Sequence, residues 1–175
     1  MLTDPLPVTL DIRKAATRGV TVKGTLKPLE LPRLRGLLAS DEGEIETVFT
    51  LSRDEEGRYV VRVVVDASVT VTCQRCLQPV RTELHTDSTL GVVWTDEQAG
   101  NLPSHLEPVI VAGEECELRE LVEDELILAL PVVNYHEQTD CNKLLVDLAA
   151  ETAQALPERP NPFDVLAQLK KPGGK

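Results

Sequence analysis

Between residues 59 and 94 the chain alternates with a period of two. Tyr59, Val61, Val63, Val65, Ala67, Val69, Val71 and Cys73 fall on one face; Val60, Arg62, Val64, Asp66, Ser68, Thr70 and Thr72 fall on the other. A strand shows its side chains to opposite faces in turn, so this pattern predicts a long β-strand with one face in the core. After Cys73-Gln-Arg-Cys-Leu-Gln-Pro79 the alternation resumes through Val80, Thr82, Leu84, Leu90, Val92 and Trp94. Two long antiparallel strands joined by a turn containing Cys-x-x-Cys are therefore expected. Straight strands of this length would exceed roughly 40 Å, which predicts a bend or bulge near Asp66 and another near Thr86.

Shorter elements surround this hairpin. Residues 8–19 read as a strand entry and a short basic helix closed by Gly19, and residues 21–26 as a strand. Apolar residues at 31, 34, 37 and 38, with Pro32 in the first turn, predict a helix over residues 29–38. A strand is expected to end at Arg53, followed by a turn at Asp54-Glu-Glu-Gly57. Residues 96–107 read as a polar loop and 108–111 as a short strand. Leu118, Leu121, Val122, Leu126 and Leu130 form one stripe of a helix over 117–130, stopped by Pro131. Residues 132–162 read as mostly irregular, with a helical turn over 144–155. Pro157, Pro160 and Pro162 make a stiff linker to a short helix carrying Phe163, Leu166 and Leu169 on one side. The expected class is α+β: an antiparallel sheet built on the long hairpin, packed by a few helices, with an irregular C-terminal third. Residues 1–156 are read as one domain and 157–175 as its appendage.

Charge changes the picture by where it sits. The chain has 175 residues and a net charge of −11, with only five aromatic residues. Neither a whole-surface phosphate footprint nor an aromatic stacking platform fits that composition. Residues 1–80 balance 11 acids with 11 bases, whereas residues 81–175 hold 18 acids and 7 bases. Between positions 13 and 35, Arg13, Lys14, Arg18, Lys23, Lys27, Arg33 and Arg35 stand with a single acid, Glu30. This stretch reads either as a solvated charged face or as a patch for RNA or an acidic partner, joined by Arg75 and Arg81 at the hairpin tip. No secretion signal or membrane span is legible, so a cytoplasmic protein is expected, without membrane or DNA partners.

In a reducing compartment, cysteines serve more often as metal ligands, reactive groups or core residues than as disulfides. Cys73 and Cys76 have the spacing at which a tight turn aims two thiolates at one Zn2+. His136 and Cys141 are the best pair to complete a Cys3His site, tying the hairpin tip to the C-terminal third. A structural turn carrying plain thiols stays open beside zinc, and so does a redox dithiol. The redox reading suits a helix N-terminus better than a hairpin. Cys116 reads as a buried, idle thiol, His85 and His105 as surface residues, and Glu123-Asp124-Glu125 as a solvated helix face. No nucleophile–base–orienter set, paired-carboxylate site or glycine-rich phosphate loop is present, so no enzyme is expected.

Three stretches carry a resemblance. Cys73-Gln-Arg-Cys-Leu-Gln-Pro-Val80 is the first. Val122-Glu-Asp-Glu-Leu-Ile-Leu-Ala-Leu-Pro-Val-Val133, with His136 and Cys141 after it, is the second. The third is Asn161-Pro-Phe-Asp-Val-Leu-Ala-Gln-Leu-Lys170. In this order, over nearly the whole chain, they resemble the YceD family, described as the large ribosomal RNA subunit accumulation protein. Cys73 and Cys76 match the family's Cys-x-x-Cys. Some branches have more cysteines downstream where this chain has only His136 and Cys141. The resemblance implies a ribosome biogenesis factor supporting synthesis, processing or accumulation of 23S rRNA. Two routes to that role follow from the residues. One is an adaptor for a ribosomal protein or RNA-processing enzyme, offering its acidic face and the tail with Phe163, Leu166 and Leu169. The other is direct rRNA binding through residues 13–35. A thiol redox protein using Cys73 and Cys76 is the third reading.

Overall fold

The computed structural model describes residues 5–137 together with Cys141 and Phe163. The chain divides into two compact units, Met1–Glu137 and Gln138–Lys175, and the account below concerns the first. Its elements run β1 (Thr9–Asp11), α1 (Ile12–Arg18), β2 (Thr21–Leu26), a 3-10 turn (Pro28–Glu30), α2 (Pro32–Arg35) and β3 (Gly43–Arg53). They continue with β4 (Tyr59–Thr72), β5 (Pro79–Val93), α3 (Asp96–Ala99), β6 (Glu107–Ile110), β7 (Glu115–Glu117) and α4 (Leu118–Ala129). The α+β class is as expected.

The sheet has the order β2-β3-β4-β5-β6, and the alternation at 59–94 forms its two longest strands. Val61, Val63, Val65, Ala67, Val69 and Val71 all face the core. Their partners on β3, which include Ile45, Phe49 and Leu51, are buried beside them. The expected bulges are absent. β4 and β5 pair in one unbroken register from Val60↔Gly91 to Thr72↔Pro79, through Asp66↔His85 and Val65↔Thr86. Unlike a bulge, the gradual twist of a sheet needs no extra residue, so two long strands can stay paired throughout.

Three departures come from partners distant in sequence. β6 pairs with β5 in parallel rather than antiparallel fashion. β1 and β7 form a two-stranded ladder of their own, Leu10 opposite Cys116. The helix expected over 29–38 is two short turns, broken at Leu31, which is buried with Leu34 while Leu37 is exposed.

The N-terminal elements are set by local chemistry. Asp11 caps α1 by accepting from the Lys14 N–H (2.9 Å), and Gly19 closes it in the left-handed region (φ 64°). α1 buries Ile12, Ala15 and Ala16 against β3 and β4, and α4 packs on β4 and β5. Gly24 is there for room: a Cβ at this position would lie 2.7 Å from the Leu6 Cα. Gly24→Ala is therefore expected to push the N-terminal segment off β2 and to cost about 1–3 kcal/mol in chemical denaturation. Among the described residues, no helix is long and apolar enough to cross a membrane.

Candidate metal centre

The turn between β4 and β5 is tight. The Cys73 N–H donates to the Gln78 carbonyl (2.9 Å) and the Leu77 N–H to the Cys73 carbonyl (2.8 Å). Leu77 takes a left-handed conformation (φ 62°), which is unfavourable for a side chain with a Cβ, and it remains exposed. The turn keeps both cysteines inward: Cys73 and Cys76 are buried.

Residues 131–137, after α4, are strapped across this turn. The Gln74 N–H donates to the Asn134 carbonyl (2.8 Å), and Gln74 Nε2 donates to the Val132 carbonyl (3.2 Å). Asn134 Nδ2 donates to the Pro131 carbonyl (3.2 Å). The Arg75 guanidinium lies 4.7 Å from the centre of the Tyr135 ring, a cation–π contact. Gln74, Asn134 and Tyr135 did not stand out in the sequence. Each sits in a stretch without periodicity, and its partner becomes apparent only once the chain has folded.

The strap delivers His136. Its Nε2 lies 3.1 Å from the Pro79 carbonyl oxygen and its Nδ1 3.4 Å from Cys76 Sγ. A carbonyl can only accept, so Nε2 carries a hydrogen toward Pro79, and Nδ1 faces the Cys76 sulfur. Metal-bound histidines have this arrangement, one nitrogen on the metal and the other held by a backbone carbonyl. Within the first unit, the ligand atoms of Cys73, Cys76 and His136 all lie within 4.8 Å of one another. Burial pushes the Cys73 thiol up. The N–H groups of Cys76, Arg75 and His136, with the His136 ring, outweigh it and hold the thiol down to about 5. A thiolate is thus already favoured at neutral pH, which is the form a metal needs.

Cys116 stands apart from this cluster. It is buried on β7, and burial, followed by the nearby charges of Glu120 and Glu117, pushes its thiol up to about 11. It should therefore stay unmodified by iodoacetamide at pH 8 in the folded chain and react only on denaturation. Rapid alkylation of Cys116 in native protein, read by peptide mass mapping, would contradict this.

The other candidate residues are dispersed. Arg33 is clamped by Glu123 and Asp124 (2.8 and 2.7 Å), Arg35 by Asp41 (2.6 Å), and Lys14 by Asp11 (2.7 Å). Arg13 lies 4.2 Å from the centre of the Trp94 ring. Arg81 donates to Ser68 Oγ (2.6 Å) beside Glu83. Arg18, Lys23 and Lys27 are exposed. Phe163 is 67% exposed, and Leu166 and Leu169 lie outside the described residues. The expectation of a solvated face at 123–125 is overturned for two residues. Glu123 and Glu125 are buried, the first accepting from Arg33 and Leu34, the second from Ser88 Oγ (2.6 Å). Only Asp124 is exposed.

The family profile described as "Large ribosomal RNA subunit accumulation protein YceD" matches residues 61–170, from β4 through the cysteine turn and α4 onward. The protein of that name from Haemophilus influenzae is 33% identical over 171 residues, covering 95% of this chain and 97% of its own. No solved structure matches. A profile match over more than half the chain, together with a relative aligned almost end to end, places it: the chain belongs to the YceD family.

Proposed function

We propose that the chain supports accumulation of large-subunit ribosomal RNA in the cytoplasm as a non-enzymatic adaptor. It would hold a ribosomal protein or an RNA-processing enzyme rather than the RNA itself. One observation carries this choice: Lys14, Arg33 and Arg35 of the basic stretch are committed to Asp11, Glu123, Asp124 and Asp41. Phosphate binding needs cations that can leave their partners, and the chain's net charge of −11 repels RNA elsewhere. Pull-down of tagged protein with and without RNase tests the reading. Ribosomal proteins or processing enzymes retained after RNase support it. Loss of every partner transfers the role to direct rRNA contact, for which Arg18, Lys23 and Lys27 are exposed cations of the basic stretch.

The cysteine cluster serves this role as a structural Zn2+ site. The donors of the first unit fit: the thiols of Cys73 and Cys76 and the imidazole of His136, with Cys73 favoured as thiolate and His136 held through Nε2; Cys141 is the proposed fourth ligand. Tetrahedral zinc–thiolate bonds of about 2.3 Å place ligand sulfurs about 3.8 Å apart, within a small contraction of the present cluster. The ion would supply cohesion, not catalysis, and fix the strap to the hairpin tip. This favours zinc over redox use of Cys73 and Cys76, because the turn and the strap converge on one point.

A further inference from the structure

β6 extends the sheet past the flank of α4, and the step between them is a groove. Two adjoining hollows of about 340 and 360 Å3 share Val109, Leu121 and Asp124. The floor is apolar: Leu90, Val109 and Leu121, with Ile127 and Leu128 at one end. Leu128 is 78% exposed, a large apolar side chain at the groove's mouth. The rim is acidic. Glu107 and Asp124 edge one hollow, and Glu115, Glu117 and Glu120 the other, while Glu125 in the lining is buried against Ser88. Arg33, the cation in the lining, is already bound by Asp124 and Glu123.

Beside the groove runs a strand edge. β6 is the last strand of the sheet and is hydrogen-bonded to β5 alone. The Val111 N–H donates to the Val93 carbonyl on β5 (2.9 Å). By alternation, Ile110 turns its N–H and C=O to the outer side, and Pro108 adds a carbonyl. Backbone groups at an edge accept an added strand, while alternate side-chain pockets select its sequence.

We propose that this groove docks an extended, lysine- or arginine-rich segment of a protein partner alongside β6. Its apolar side chains would sit on Leu90, Val109 and Leu121, and its cations against the carboxylate rim. The proposal rests on the adaptor reading and names the chemistry of its partner. Charge complementarity determines the occupant: an acidic rim repels nucleic acid and acidic peptides alike, and an apolar floor beside a strand edge suits a peptide.

The test titrates the full chain into a fluorescein-labelled peptide of about ten residues alternating lysine with valine, read by anisotropy. The same peptide with glutamate for lysine is the comparison. The lysine peptide should bind and the glutamate peptide should not. Glu107→Lys with Glu117→Lys should weaken binding at least about ten-fold. Glu44→Lys with Glu46→Lys makes the same charge change on the exposed sheet face and should alter it less than about two-fold. Leu128→Ser, at a solvent-exposed position, should weaken it about three-fold and decides the matter if the rim variant fails to fold. No binding, or equal weakening by both charge pairs, overturns the groove.

The two readings fail separately. RNase-resistant partners held equally by wild type and the Glu107→Lys, Glu117→Lys variant would overturn the groove and leave the adaptor standing. Selective peptide binding by a wild type that holds no protein after RNase would do the reverse.

Discussion

Replacing Glu123 by alanine is expected to destabilise the protein by about 2–3 kcal/mol, the upper range for leaving a buried backbone donor without its acceptor. The reason lies in α2. A helix leaves its first N–H groups unsatisfied, and a side chain at the N-cap usually takes one. Here the N-cap is Leu31, which has no acceptor. Glu123, from α4, does the work across 90 residues of sequence. Its Oε1 accepts from the backbone N–H of Arg33 (2.6 Å) and Leu34 (3.0 Å), and its Oε2 from Arg33 Nε (2.8 Å). Alanine leaves the Leu34 N–H buried without a partner, and Arg33 loses its shielded counter-ion. Glu123→Gln keeps an acceptor and should cost less, about 1–2 kcal/mol. Asp124→Asn, at an exposed pair with Arg33, should cost under about 1 kcal/mol. Chemical denaturation of the three variants checks the order; equal effects at 123 and 124 would show that the cap is not what holds α2.

Glu123 also shows where the sequence stops being legible. Strict alternation from Tyr59 to Cys73 could be read directly, because a strand with one buried face records its period in its own residues. The end of α1 at Gly19 was legible for the same reason: the signal lies in the helix's own stretch of sequence. A carboxylate run on a helix looks solvated unless the donor is known, and the donor here lies on another element. The pairing of Leu10 with Cys116 and the parallel docking of β6 on β5 likewise depend on residues distant in sequence. In the cysteine cluster, thiol spacing pointed to Cys73 and Cys76, but not to the strap from Pro131 to His136 that brings the imidazole beside them. The basic stretch is a related case. Seven cations in a row of charges suggest a patch, yet Arg33, Arg35 and Lys14 are each neutralised by a neighbour.

Loading of the metal centre is the other large effect expected. Purified protein should carry close to one Zn2+ per chain by elemental analysis, and Cys73→Ser or Cys76→Ser should reduce it to about a tenth or less, because a three-donor remnant loses a thiolate bond. With free zinc a thousandfold above its Kd, binding adds about 4 kcal/mol to the folded state, or roughly 10 °C in Tm for a chain of this size. Chelation should remove that increment from the wild type and leave Cys73→Ser unchanged. His136→Ala tests the strap as well as the ligand. It takes away Nδ1 and also the Nε2 bond to Pro79, so amide protection at Gln74, whose N–H is held by Asn134, should fall with it. Acidification should release the metal, because thiolates and imidazole bind only when deprotonated. A wild type that purifies without zinc and melts identically with and without chelator would rule the ion out and return Cys73 and Cys76 to the status of a hydrogen-bonded turn.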